Sequence, residues 1–438
     1  MSASTTPPGE ELALLTDLYQ LTMLQSYWRR GMNEPATFDL SVRHLPPNRR
    51  FLIACGLEHA LDYLETLRFT PDAIAYLSSL DRFDPSFLDG LAALRFTGDV
   101  WAIAEGEPFF PGEPLLRVTA PLPEAQVVET FLLNAVLYPS AVASKAARCV
   151  LAAGGRDVVD FSLRRDHGAD ASLAAARAAW IAGAAGTSNV LAGKRFGIPL
   201  FGTMAHSFVM AADDEESAFR AYAEEYPDSA VLLVDTYDTE EGVRLAARIG
   251  TEMAASGRTL RGIRLDSGDL SELARVARGI LDDAGLNDTR IFASGDLNEE
   301  RIARIVSSGA PVDAFGLGTE LGVVADAPVL PGVYKLAEYA GRTRAKRSAA
   351  KPSLGGRKQV WRRDGFSDVI AREGVDIPGA RALLAPMMER GRVVERSSPA
   401  RARDRCADAL RALPAELRDL SPCPAGSGPL PEIDASLR

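Results

Sequence analysis

Six short apolar runs punctuate the middle of the chain, and each is followed by a stretch with helical pattern. The runs are DVVDFSL (157–163), IPLFGTM (198–204), AVLLVDT (230–236), LRGIRLD (260–266), IFASGD (291–296) and AFGLGT (314–319). Between them lie segments such as ADASLAAARAAWIAGAAG, TEEGVRLAARIGTEMAAS, LSELARVARGILDDAG and NEERIARIVSSG. Strand, helix, strand at this spacing predicts parallel β/α units, because parallel neighbours need a crossover connection. Six or more such units, most strands ending in polar or Gly residues, predict an α/β fold with a (β/α) barrel. An open doubly wound sheet is the alternative, since periodicity alone does not show closure.

The flanks read differently. Residues 1–130 mix helical and strand patterns. LLTDLYQLTMLQSYWRRGM repeats apolar residues at helical spacing, with Thr16 placed as an N-cap. GDVWAIAEGEPFFPGEPLLRVTAP (98–121) predicts short strands broken by Gly and Pro. From Gly341 to Arg363 there are nine Lys or Arg and no acidic residue. PSLGG and KQVW within that stretch predict a turn and a strand, which a disordered nucleic-acid arm rarely carries. In an acidic protein such a stretch is expected to meet small polyanions. The expected organisation is 1–130 as the first part of a small α/β domain, 131–340 as the barrel with the active site, and 341–438 as a basic loop segment plus a C-terminal part packing back on the small domain.

Composition removes several classes of function. A net charge of −10 and a pI of about 5.2 argue against nucleic acid as a general partner. No apolar run approaches the ~20 residues of a membrane helix, and MSASTTPPGEE has no signal-peptide pattern, so a cytoplasmic protein is expected. Cys55, Cys149, Cys406 and Cys423 are far apart with no CxxC, and there is no HExxH. Four reduced thiols and no metal held by protein alone are expected.

In a barrel the chemistry collects at the C-terminal ends of the strands. Those ends bring together Phe161 with Arg164 and Arg165, then Thr203 and His206, then Asp235 and Asp238. Next come Arg264, Asp266 and Asp269, then Gly295 and Asp296, then Gly318 and Thr319. LDSGD is either a helix-capping turn or a holder of sugar hydroxyls, with Asp269 a Mg²⁺ contact directly or through water. SGD at 294–296 has the same two readings. GLGT lets backbone N–H groups approach a phosphate. Arg164 and Arg165 either form surface ion pairs or bind an anion. Asp235 and Asp238 either orient catalytic neighbours or cap the helix starting near Thr239. His206, one of only four histidines, is either a hydrogen-bonded bystander or a nucleophile towards a phosphoryl group. Together these features suit a phosphorylated sugar.

The ordered set TDLYQLTM, FSLRRDHGADAS, GTSNVLAGKRFGIPLFGTMAHSF, VDTYDTEEG, IRLDSGDL, FASGDLNE, FGLGTELGV and GRKQVWR resembles the nicotinate phosphoribosyltransferase family, over residues 16 to about 390. The resemblance implies an irregular α/β barrel with a smaller α/β domain built from both chain ends, in a homodimer with sites near the subunit interface. It implies transfer of nicotinate to 5-phosphoribosyl 1-diphosphate, in NAD biosynthesis. It also implies coupling to ATP hydrolysis through a phosphohistidine, with Mg²⁺ carried by the phosphates. Carried over position by position, His206 matches the phosphorylated histidine. Tyr19 and Phe161 match aromatics flanking the pyridine ring, Tyr19 from the partner subunit. Thr203 and Arg264 match carboxylate-holding groups. Asp266, Gly295 and Asp296 match the ribose turns, and Gly318 and Thr319 the 5-phosphate loop. Arg164, Arg165, Lys346, Lys351 and Lys358 match diphosphate or nucleotide contacts.

Two positions depart from the family pattern: Ser162 stands where Gly is expected, and Asp166 where a neutral residue is expected. The nearest alternative activity uses nicotinamide. Relatives of that kind place an Asp where Ser188 stands, which would repel a carboxylate substrate, so Ser188 in GTSN favours nicotinate. A catalytically silent nucleotide-binding relative is the alternative from another class; the intact His206 and Gly-Asp turns argue against it.

Overall fold

The computed structural model describes residues 9–347 and 353–437. The chain divides into two compact units, one of Lys145–Asp326 and one of Met1–Ser144 with Ala327–Arg438.

The Lys145–Asp326 unit carries six parallel strands. They are β1 (Asp157–Asp160), β2 (Gly186–Thr187), β3 (Val231–Leu233), β4 (Gly262–Leu265), β5 (Arg290–Ala293) and β6 (Ala314–Leu317). Their order is β2-β1-β6-β5-β4-β3, every pair parallel. The connecting helices are α1 (Ala169–Ile181), α2 (Val190–Phe196), α3 (His206–Ala211), α4 (Glu215–Glu225), α5 (Thr239–Ala255), α6 (Leu270–Asp283), α7 (Glu299–Ser307) and the short α8 (Thr319–Gly322). All four residues of β6 are buried, as expected of strands covered on both faces. On α5, Val243, Ala246, Ala247, Gly250 and Met253 are buried, the 3–4 spacing of one apolar face. Helix starts are fixed locally by side-chain caps: Asn189, Asp214, Asp238, Asp269 and Asn298 each accept from a backbone N–H of the first turn.

The sheet departs from the expected barrel in one respect: among the described residues it does not close. The 198–204 run is not a strand. Only Leu200 bridges to Thr187, and the backbone around it is irregular. Pro199 has no N–H to give a ladder.

The other unit is mainly antiparallel. A seven-stranded sheet runs Arg342–Thr343, Gly332–Tyr339, Pro35–Val42, Leu116–Pro121, Asp99–Ile103, Leu384–Glu389, Arg392–Val393. Pro35–Val42 thus pairs with a strand from the far side of the other unit's sequence, and Asp99–Ile103 with one near the C-terminus. A second sheet of four strands includes Lys358–Arg363 against Ser367–Arg372. The first long helix is Leu18–Arg29, and its cap position is Asp17, not Thr16. Asp17 makes no capping bond and instead accepts from Thr130 Oγ1, while Thr16 Oγ1 donates to Val127 O. Among the described residues no helix is long and apolar enough to cross a membrane.

Candidate active site

The C-terminal ends of β1 to β6 gather most of the expected residues around one arginine. Arg264 is the third residue of β4, and its side chain is 13 % exposed. Its Nε donates to Ser294 Oγ at 2.8 Å, Nη1 to Thr203 Oγ1 at 3.2 Å, and Nη2 to Asp266 Oδ1 at 2.6 Å. The guanidinium lies 5.5 Å over the Phe161 ring, which stacks on Phe292 at 5.7 Å. Gly316 leaves room for that ring: a Cβ there would lie 2.7 Å from Phe161. The result is an aromatic floor with a cation and a hydroxyl above it.

Asp266 is held from three strands. Its Oδ1 accepts from Arg264 and from Ser294 Oγ at 2.5 Å, and its backbone N–H donates to Asp235 Oδ2 at 2.9 Å. Burial works to raise the Asp266 carboxyl, but the Ser294 hydrogen bond and the Arg264 charge outweigh it and hold it below the usual value. The SGD turn lies directly against it. Gly295 has φ +97°, and a Cβ there would sit 1.9 Å from Asp266 O, so only glycine fits. Asp296 is exposed at φ 47°, and Arg301 Nη1 clamps the turn through Asp296 O at 2.8 Å.

His206 opens α3 and is half-buried, with Nδ1 3.1 Å from Thr236 Oγ1. Asp235 Oδ2 also accepts from Ser267 Oγ at 2.7 Å, while its Oδ1 is buried without a hydrogen-bond partner. Glu215 lies close by: its carboxyl is pushed up by burial, then by Asp235 and Asp238. Asp238 and Asp269 take the capping alternative. Asp238 accepts from Glu241 N at 3.0 Å, and Asp269 from Ser271 N and Glu272 N. Gly318 and Thr319 form the turn into α8, with Thr319 exposed. Ser188 is half-buried, its N–H donating to Asp160 O at 2.9 Å. Arg164 and Arg165 are exposed and make no ion pair among the described residues. Among the described residues no group of three or more His, Cys, Asp or Glu is placed to hold a metal ion.

The other expected residues belong to the second unit. Tyr19 is 48 % exposed and lines a cavity of about 370 Å³ with Glu129, Tyr138 and Val329. Lys346 is exposed, and Lys351 lies outside the described residues. Lys358 does not stand free for a phosphate. It is 3 % exposed, with Nζ 2.5 Å from Asp39 Oδ2 and 2.9 Å from Gly356 O. Lys358 starts a strand whose first three residues are all buried, so the basic stretch is not one continuous charged face.

Sequence reading missed Ser294, Ser267 and Thr236, which hydrogen-bond the key Arg, Asp and His groups. A small hydroxyl residue carries no spacing signal of its own. Their one visible trait is position, each within three residues of a strand end.

Residues 14–137 match the family model described as the nicotinate phosphoribosyltransferase (NAPRTase) N-terminal domain, and residues 157–329 that of the NAPRTase family. Nicotinate phosphoribosyltransferase pncB2 of Mycobacterium tuberculosis is 48 % identical over 418 residues, covering 93 % of this chain and 89 % of that protein. The Bacillus subtilis nicotinate phosphoribosyltransferase is 44 % identical over 361 residues, 81 % of this chain and 73 % of that one. The crystal structure of human nicotinic acid phosphoribosyltransferase superposes with a TM-score of 0.84 at 29 % identity, covering 96 % of this chain and 98 % of that chain.

Proposed function

Because the chain belongs to the nicotinate phosphoribosyltransferase family, we propose that it joins nicotinate to 5-phosphoribosyl 1-diphosphate at the strand ends around Arg264, releasing nicotinate mononucleotide and diphosphate. The observation that carries the assignment of the base pocket is the Arg264–Thr203 pair above the Phe161 ring. An aromatic floor suits the pyridine ring, and a cation beside a hydroxyl suits its carboxylate. Arg264 Nη2 and Nε are tied to Asp266 and Ser294 and one N–H of Nη1 to Thr203, which leaves the second N–H of Nη1 for the substrate; the Thr203 hydroxyl, which donates to Met204 O at 3.1 Å, turns its proton to the carboxylate when the base binds. Ser188 adds no negative charge to this pocket.

In this reading Asp266, Gly295 and Asp296 take the ribose hydroxyls, and Gly318 with Thr319 takes the 5-phosphate. Arg164 and Arg165 meet the departing diphosphate. The reacting carbon becomes oxocarbenium-like as diphosphate leaves. The protein's work is therefore to align the base nitrogen and to neutralise the leaving group. ATP is the co-substrate that phosphorylates His206, the phosphates bringing Mg²⁺ with them. Thr236 keeps the imidazole oriented, and Asp235 braces the adjoining turn. The enzyme works as a cytoplasmic homodimer in which Tyr19 of one subunit covers the base in the other. Four free cysteines are in keeping with a reducing compartment.

The finer fold reading is a barrel with one unpaired seam. In that reading the pairing of β6 with β1 forms part of the ring, and the seam lies between Leu200 and β3. Two side-chain contacts span it, His206 to Thr236 and Thr203 to Arg264.

The test is product formation from nicotinate and from nicotinamide, each with and without ATP. Nicotinate with ATP is expected to be the fastest combination. Equal use of both bases would overturn the carboxylate pocket.

A further inference from the structure

Two carboxylates share one hydroxyl at the end of β1. Ser162 Oγ lies 2.6 Å from Asp160 Oδ1 and 3.2 Å from Asp166 Oδ2. Asp160 is 1 % exposed and receives three donors: Ser162 N at 2.9 Å, Ser162 Oγ, and Thr187 Oγ1 at 2.7 Å. A serine hydroxyl has one proton to give, and the shorter contact places it on Asp160. The contact with Asp166 is then a hydrogen bond only when Asp166 supplies the proton. Asp166 Oδ1 is also buried without a hydrogen-bond partner. It packs on Gly322, where a Cβ would come within 1.9 Å of that oxygen. Gly322 ends α8, the turn that begins at Gly318 and Thr319. Asp166 therefore lies between the exposed Arg164-Arg165 pair and the turn assigned to the 5-phosphate.

We propose that Asp166 is a proton-holding positioning residue: it takes up a proton from solvent when the phosphate of the sugar donor settles on the Gly318–Thr319 turn, so that donor binding and Asp166 protonation favour one another. The proposal rests on the reading of that turn as the phosphate site. Ionised Asp166 would oppose an incoming phosphate and leave its own Oδ1 unpaired. Protonated on Oδ2, Asp166 no longer opposes the phosphate, gains the bond to Ser162, and leaves a neutral instead of a charged oxygen unpaired at Oδ1. The linkage is reciprocal by necessity.

The charged and titratable groups around it are few. Asp160 lies on β1 and His167 is next in the loop; Arg164 and Arg165 precede it; α8 carries Glu320. Burial and then the Asp160 charge push the Asp166 carboxyl up to about 6, against the opposing pull of Ser162 and His167. Burial also raises Asp160, but its three donors oppose that rise, whereas Asp166 has a single shared hydroxyl. Of the two, Asp166 is the one that keeps the proton.

Ribose 5-phosphate is the probe, because it carries the 5-phosphate without the diphosphate. Its dissociation constant is measured by titration calorimetry from pH 5 to pH 8 for wild type, Asp166→Asn and Asp166→Ala. The probe's own ionisation is common to all three, so the ratio of wild type to variant isolates Asp166. That ratio is expected to stay near one at pH 5 and to rise about threefold to tenfold by pH 8, each tenfold corresponding to one pKa unit of linkage. An ordinary surface aspartate, ionised across this whole range, would give a constant ratio. Either variant serves if the other fails to fold, since both remove the titrating group. A flat ratio with measurable binding overturns this proposal alone. No binding of ribose 5-phosphate by folded wild type overturns the phosphate-turn reading and this proposal with it.

Discussion

Replacing Arg264 by alanine removes three hydrogen bonds: two that tie β4 to neighbouring segments, at 2.8 and 3.2 Å, and one to Asp266 at its own end, at 2.6 Å. A hydrogen bond to a charged partner is worth about 1.5–3 kcal/mol when water is largely excluded. The Arg264 side chain is 13 % exposed and that of Asp266 31 %, so solvent screens the pair only in part. Loss of one such bond to the nicotinate carboxylate should lower kcat/KM for nicotinate roughly tenfold to a hundredfold. Nicotinamide, which presents no charge, should lose clearly less. A second readout follows from Asp266. Its folded-state carboxyl is held below the ordinary value, so ionised Asp266 contributes stability above the unfolded pKa and loses it as pH falls through the folded one. Without Arg264 the folded value rises. The contribution shrinks, so the fall in Tm on acidification should be smaller than in wild type. Steady-state kinetics with both bases, together with Tm measured from pH 3 to pH 7, check both arms. An equal fall for both bases, with an unchanged pH response of Tm, would refute the reasoning and place the carboxylate elsewhere.

Three further outcomes follow from local geometry. Gly295→Ala should raise KM for the phosphoribosyl donor, because its Cβ would meet Asp266 O at 1.9 Å; Gly257→Ala, also at positive φ but with nothing within 4 Å, is the control for backbone strain alone, worth about 1–2 kcal/mol. Lys358→Ala should destabilise by about 3–5 kcal/mol through the stranded Asp39 carboxylate, with side chains 4 % and 10 % exposed; a rise in donor KM at unchanged Tm would instead restore Lys358 as a phosphate contact. His206→Ala should lose acid-labile, base-stable label from γ-labelled ATP while keeping some uncoupled transfer, and label that persists would remove His206 from the phosphoryl step.

The parallel β/α units were legible because their signals are local. An apolar run, a capping residue and an amphipathic helix lie within one stretch of chain, as in Leu265, Asp269 and the buried face of α6. The 198–204 run misled because apolar character predicts burial, while strand formation also needs free N–H groups and a partner edge; Leu200 alone finds one. The pairing of Ala36 with Tyr339 has no local signature at all, since either strand would satisfy many others. Lys358 shows the same limit: a basic cluster in sequence says nothing about which member a strand turns inward. The motif residues Arg264, Asp266 and Gly295 were legible as a set. What was not legible is that they touch through Ser294, a residue with no pattern to mark it.

Those contacts explain why the turn proposed for the ribose needs neighbours on both sides. Asp266 is fixed through its carboxylate by β4 and β5, through its N–H by Asp235 at the end of β3, and through its carbonyl by the close approach of Gly295. A carboxylate fixed in this way keeps its remaining lone pairs aimed in one direction, and its orientation is established during folding, not during the reaction. The same bracing joins the proposed base pocket to the proposed sugar pocket, because Arg264 contacts Thr203 on one side and Asp266 on the other. If, as proposed, the nicotinate carboxylate arrives at Nη1 and Asp266 takes the ribose, recognition of the base and alignment of the sugar are coupled through a single guanidinium, which lysine, lacking the planar fork, could not reproduce.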